Sequence, residues 1–243
     1  MRVSFINHFN RTSFIKPYHI TIPMCGRFSL TTTEKELLMD IFGLKSIPFG
    51  LKPRYNIAPS QDVSVVRNDE SDRLSLARWG LIPSWAKDKA IGYKMINARA
   101  ETVREKPAFR SSFKNRRCLV IADSFYEWKH DSRKIPYRVL LKSKKPFAFA
   151  GLWDRWERDG EKIISCTIIT TKPNSIVRKI HDRMPAILQD PRAWLDADET
   201  AAYDMLKPYE DEKMTAYQVS DKINSPANES PEVIMPVQTL ADF

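Results

Sequence analysis

The sequence predicts a single α+β domain, a curved mixed β-sheet or partial barrel flanked by helices. Three observations predict it. Many short runs alternate apolar and polar residues, as half-buried strands do. Helical patterns of uneven length interrupt them without βαβ regularity, which argues against a doubly wound sheet. The chain has 243 residues, 42% hydrophobic and 28% charged, enough to bury a core without disulfide staples.

The elements follow in order. "TEKELLMDIFGL" spaces Leu37, Leu38, Ile41 and Phe42 as one face of a short helix, capped by Thr33 and ended by Gly43. "LKPRYNIAPSQ" reads as an extended loop bounded by Pro53 and Pro59. "DVSVVRN" and "RLSLARWGLIP" alternate as a hairpin turned by "DESD". "SWAKDKAIGYKMINARAETV" reads as a loop entering a helix, and "PAFRSSFKNRR" as a short basic helix. "CLVIADSFYEW", "PYRVLL…FAFAGLWDRW" and "IISCTIITT" are strands, with turns at "KSKKP" and "DGEK". "NSIVRKIHD" is a short helix or turn, "PRAWLDADETAAYDMLKP" holds one or two helices, and "MTAYQVS" is a late strand.

Composition narrows the function. Formal net charge is +9. From Arg99 to Arg117 seven Lys or Arg face only Glu101 and Glu105, while Asp196 to Glu212 is acidic. A basic stretch of this kind suits a polyanion, although an ordinary solvated face looks the same in sequence. No apolar run approaches the ~20 residues of a membrane span. Three cysteines are too few for a disulfide framework. Cys118 and Cys166 lie in strand patterns and read as small buried hydrophobes. No histidine pairs with a cysteine at metal-ligand spacing, so neither metal nor cofactor is expected. No phosphate-binding glycine loop is present.

Four residues suggest chemistry. Cys25 stands in "TIPMCGRFSL", directly after Met24. If the chain were trimmed to Cys25, that residue would carry an amine and a thiol on adjacent carbons; in mid-chain it lacks the amine. Residues 1–23 contain Arg2, Arg11 and Lys16, no acid, and no apolar stretch of secretory type. They read as a miscalled start or a removable segment, 24–237 as the domain and 238–243 as a tail. Asn97 sits in "MINARAET", where it either works in a site or caps a helix. Glu127 lies among Phe125, Tyr126 and Trp128; desolvation there would raise its pKa toward proton transfer, while an outward-facing carboxylate is the plainer reading. His181 stands beside Asp182 and Arg183 and is either catalytic or a surface cap. The set allows a cysteine hydrolase or carbonyl chemistry at an amine, and the residues alone do not choose.

Nine ordered blocks, "MCGRFSL", "PRYNIAPSQ", "RWGLIPSW", "INARAET", "CLVIADSFYEWK", "FAFAGLW", "TIITTKPN", "IHDRMPAIL" and "VSDKINSPANESPEVI", resemble the SOS-response-associated peptidase family from Met24 to about Val237. The resemblance implies a sensor of abasic sites in single-stranded DNA, acting in the DNA damage response after its own N-terminal processing. The amine of Cys25 would attack the ring-opened aldehyde, and its thiol would close a thiazolidine, leaving a covalent DNA–protein crosslink. It further implies that Asn97 holds the sugar or the cysteine backbone, that Glu127 moves protons during imine chemistry, and that His181 protonates the sugar oxygen. Arg27, Asn56, Trp79, Arg99 and Thr170 fall on positions expected to contact DNA, with Trp79 stacking on a base. Expected partners are single-stranded DNA and, transiently, the replication machinery, with a monomeric protein and no membrane. The implied setting is the cytoplasm and nucleoid for a bacterial or phage protein, or the nucleus for a eukaryotic one. A cysteine peptidase and a non-catalytic single-strand-binding module are the competing readings.

The chemistry agrees with that resemblance. An imine needs an uncharged amine, and an α-amino group has a pKa of ~7.7–8.0 against ~10.4 for lysine. The neighbouring thiol closes the ring intramolecularly, where effective concentrations reach about 10⁵ M or more.

Overall fold

A computed structural model describes residues 26–237. Cys25, the segment 1–23 and the tail 238–243 lie outside the described residues. The elements are β1 (Phe28–Leu30), α1 (Lys35–Phe42), β2 (Arg54–Ile57), β3 (Asp62–Arg67), β4 (Ser75–Trp79), β5 (Asn97–Arg99) and α2 (Arg110–Asn115). They continue with β6 (Arg117–Ala122), β7 (Ser124–His130), β8 (Lys134–Leu141), β9 (Phe147–Arg158), β10 (Glu161–Thr171) and α3 (Ser175–Arg178). The last are β11 (Met184–Pro185), α4 (Pro191–Asp196), α5 (Glu199–Asp204) and β12 (Met214–Gln218).

The expected partial barrel closes completely. Strand β3 pairs with β4 and β6, β6 with β9, β9 with β10, and β10 with β4, so the ring has no free edge. Only the β4–β10 seam of this ring is parallel. Beyond the ring the far end of β10 continues, flanked by parallel β5 and antiparallel β11. A second, five-stranded sheet runs β12-β8-β7-β1-β2. Phe28 of β1 joins the two sheets, its ring meeting Trp79 at 5.0 Å and Phe149 at 5.7 Å, both edge-on.

The stretch read as one strand, "CLVIADSFYEW", is two. β6 belongs to the barrel and β7 to the second sheet, and Asp123 marks the corner. Its buried carboxylate accepts bonds from Ser29 Oγ (2.5 Å), Thr31 N (2.5 Å), Thr31 Oγ1 (2.6 Å) and Thr32 N (3.2 Å), so the corner is tied to the end of β1. In α1 the N-cap is Glu34 rather than Thr33, and Glu34 makes no side-chain cap bond. Its carboxylate accepts instead from the Thr33 amide at 3.0 Å. Gly43 ends α1 as expected, at φ 63°, donating to Met39 O. Cys118 and Cys166 are buried in β6 and β10, and desolvation pushes both thiols up.

Candidate functional site

The site builds outward from the first described strand. In β1, Phe28 faces Phe125 and Ser29 faces Ser124, while Tyr126 N donates to Arg27 O at 2.9 Å. Continued by two residues, this antiparallel register sets buried Gly26 opposite Glu127. Glu127 is 2% exposed. Strand alternation turns it to the face opposite Tyr126 and Trp128. Those two rings pack elsewhere, Tyr126 Oη donating to Tyr55 O (2.6 Å) and Trp128 Nε1 to Asn224 Oδ1 (2.8 Å). Across the ladder Glu127 neighbours Tyr137 of β8.

Asn97 opens β5 rather than a helix. Its segment becomes a strand because β10 offers a parallel edge, with Asn97 opposite Ile168 and Arg99 opposite Thr170. The preceding carbonyl, Ile96 O, accepts from Trp79 Nε1 at 2.9 Å. Phe28 packs on Trp79 and Trp79 holds Ile96, so one chain of contacts links the β1 entry to Asn97.

His181 lies just past α3. Asn174 caps that helix, accepting from Val177 N (3.0 Å) and donating to Tyr209 O (3.0 Å), and His181 N donates to Val177 O (2.7 Å). The Nδ1 atom of His181 accepts from Arg183 N at 3.1 Å, which places the neutral ring's proton on Nε2. Asp182 Oδ1 lies 3.0 Å from the same nitrogen and accepts a hydrogen bond from it when the ring is charged. Burial holds the His181 pKa below the usual imidazole value, and Asp182 opposes that shift. The Arg183 guanidinium grips Glu101 through two bonds (2.6 and 2.9 Å) and donates to Thr170 O (2.6 Å). That clamp ties the histidine loop to the end of β10, and Arg183 depresses the Glu101 pKa through the hydrogen bonds it donates. Residues from both sides share one cleft of about 530 Å³, lined by Lys129 and Tyr137 from the Glu127 side and Ile180 from the His181 side.

Four of the five residues expected to contact DNA are buried. Trp79 is fully buried and its N–H is used, so no base can stack on it. Asn56 is also fully buried; it accepts from Arg27 Nη1 (2.6 Å) and donates to Ser225 O (2.9 Å) and Asn228 O (3.0 Å). Arg27, 6% exposed, donates inward to Asn56, Ile223 O and Asn224 O. These two residues dock the 223–228 segment. Thr170 is buried under Arg183, and Arg99 alone of the five is exposed.

Part of the basic stretch is held by other parts of the fold. Arg117 is buried and donates to Trp194 O, Phe113 O and Ala197 O, Arg116 pairs with Asp154 (3.2 Å), and Arg104 lies 3.8 Å over the Tyr203 ring. The sequence reading missed Trp85 and Tyr93, which are 60% and 63% exposed on the segment between β4 and β5. That segment is pinched where Gly80, at φ 128°, meets Gly92: a Cβ on Gly92 would stand 2.8 Å from Gly80 O.

Comparison with known proteins agrees with this frame. The family model described as "SOS response associated peptidase (SRAP)" matches residues 24–226. Abasic site processing protein YoqW of Bacillus subtilis (strain 168) is 50% identical over 221 residues, covering 87% of this chain and 99% of the relative. Abasic site processing protein HMCES of Xenopus tropicalis is 37% identical over 218 residues, covering 74% of this chain and 65% of the relative. A crystal structure of a Bacteroides thetaiotaomicron protein superposes with a TM-score of 0.80 at 30% identity, covering 88% of this chain and all of the other. The chain belongs to the SOS response associated peptidase family.

Proposed function

We propose that this chain captures abasic sites in single-stranded DNA as a covalent crosslink through Cys25, once the residues before it have been removed. The α-amine of Cys25 adds to the C1 aldehyde of the opened sugar, and the carbinolamine loses water to give an imine. The thiol then adds to the imine carbon while its proton passes to nitrogen, closing the thiazolidine. The net change is aldehyde plus aminothiol to thiazolidine plus one water. Glu127 relays protons for carbinolamine formation and dehydration, His181 supplies a proton to the sugar ring oxygen, and Asn97 orients the sugar. Arg99 meets the phosphate backbone. The exposed rings of Trp85 and Tyr93 take the stacking role that the buried Trp79 cannot.

The observation that carries this reading is the β1–β7 register, which sets Gly26, the residue after Cys25, opposite the buried carboxylate of Glu127. The names of the relatives, abasic site processing proteins, point the same way. The test is intact mass after incubation with an abasic oligonucleotide. The expected product starts at Cys25 and gains the oligonucleotide mass less one water, and Cys25→Ala gives none. A denaturation-stable adduct that survives Cys25→Ala overturns the reading.

A further inference from the structure

The 530 Å³ cleft between the second sheet and α3 is lined by Lys129 and Tyr137, strand neighbours of Glu127, and by Ile180, the residue before His181. We infer that this cleft carries one single-stranded arm of the DNA away from the lesion, an inference that rests on the reading of the chain as acting on DNA. Three observations support it. First, the cleft continues the face that carries Glu127: Lys129 lies two residues along β7 on the same side, and Tyr137 is the cross-strand partner of Glu127. Its opposite wall is Ile176 of α3 with Lys179 and Ile180 just after the helix, which lead directly to His181.

Second, its charge is of one sign. Lys129, Lys142 and Lys179 line it and no carboxylate does. None of these three lysines forms an ion pair with a described residue. Other clefts differ: one beside α4 and α5 contains Asp190 and Asp204, and one beside β1 contains Asp123. Third, the floor offers the half-buried ring of Tyr137 beside apolar Ile176, Ile180 and Met214. Cations along the rim and an aromatic ring on the floor suit a backbone that passes with its bases inward.

The test uses the full chain and oligonucleotides bearing a tetrahydrofuran abasic analogue, which has no aldehyde, so binding is reversible and independent of Cys25. One oligonucleotide has the analogue near its 5′ end with a long 3′ arm, and the other the reverse. The variants are Lys129→Ser/Lys142→Ser/Lys179→Ser, its all-Arg counterpart, and a control removing the exposed Lys45, Lys52 and Lys207. The serine variant is expected to lose about tenfold affinity at ~0.1 M salt on one arm only, and its salt slope on that arm to fall by about 2, at ~0.7 per phosphate contact. The arm affected assigns the polarity, and the arginine variant retains binding. Equal loss on both arms, loss matched by the control, or no loss overturns the inference. Failure of the crosslink with authentic abasic DNA sinks the proposed chemistry and leaves this measurement standing.

Discussion

Asn56→Ala separates the role its position in the sequence suggests from the role its contacts give it. The side chain is fully buried between Arg27 and the 223–228 segment. Removing it deletes a charge-assisted bond to Arg27 Nη1 at 2.6 Å, of a kind worth about 1.5–3 kcal/mol. It also deletes the amide bonds to Ser225 O and Asn228 O, about 1 kcal/mol each before discount. Ser225 and Asn228 are exposed, so water replaces part of those two. Arg27 keeps Ile223 O and Asn224 O, which limits the charge left without an acceptor. The sum is about 3 kcal/mol, or a fall in Tm of about 6–12 °C for a chain of this size. Urea unfolding measures the loss, and amide exchange across residues 221–230 shows whether this segment undocks. A loss under about 1 kcal/mol with exchange protection intact refutes the argument. A fully stable variant with weakened single-strand binding would restore Asn56 as a DNA contact.

Three further outcomes are expected. Crosslinking rate against pH should be bell-shaped, needing protonated His181 and neutral amine; Asp182→Asn removes a charge that raises the His181 pKa, so the acid limb moves to lower pH and the maximum falls. An acid limb that stays in place excludes His181 as the acid. Trp85→Ala should weaken single-strand binding by about 1–3 kcal/mol at unchanged stability, whereas Trp79→Phe should cost about 0.5–1.5 kcal/mol of stability by deleting the indole bond to Ile96 O, which keeps its backbone bond from Ile168 N, as read by titration and denaturation of each. Gly92→Ala should destabilise by about 1–3 kcal/mol, because its Cβ meets the Gly80 carbonyl, whereas Gly50→Ala, with open space around it, should be neutral in the same melt.

How legible the molecule was depended on the range of the interactions. The β3–β4 hairpin, the α1 stop at Gly43 and the short α2 follow local rules and matched the pattern. Trp79 could have been placed inside from "LARW" alone, since Ala77 and Trp79 share the buried face while Leu76 and Arg78 point outward. Asn56 and Arg27 gave no such signal: besides each other, their side-chain partners lie 167 or more residues away in the C-terminal segment. Asn97 was misread because its strand exists only through the edge that β10 supplies. Arg116 and Arg117 looked solvent-facing because Asp154 and the α4 carbonyls that hold them are distant in sequence. Barrel closure likewise needs the β4–β10 seam, a parallel pairing no turn signal announces.

The place of β1 has a mechanical consequence. It is an inner strand, bonded to β7 on one side and β2 on the other, and its corner is anchored by Asp123. A pull on Gly26 along the strand loads both ladders in shear, so the bonds must yield together and not one after another as in unzipping. Whatever is joined just ahead of Gly26 is thus moored to an inner strand, and force applied there is met by both ladders together.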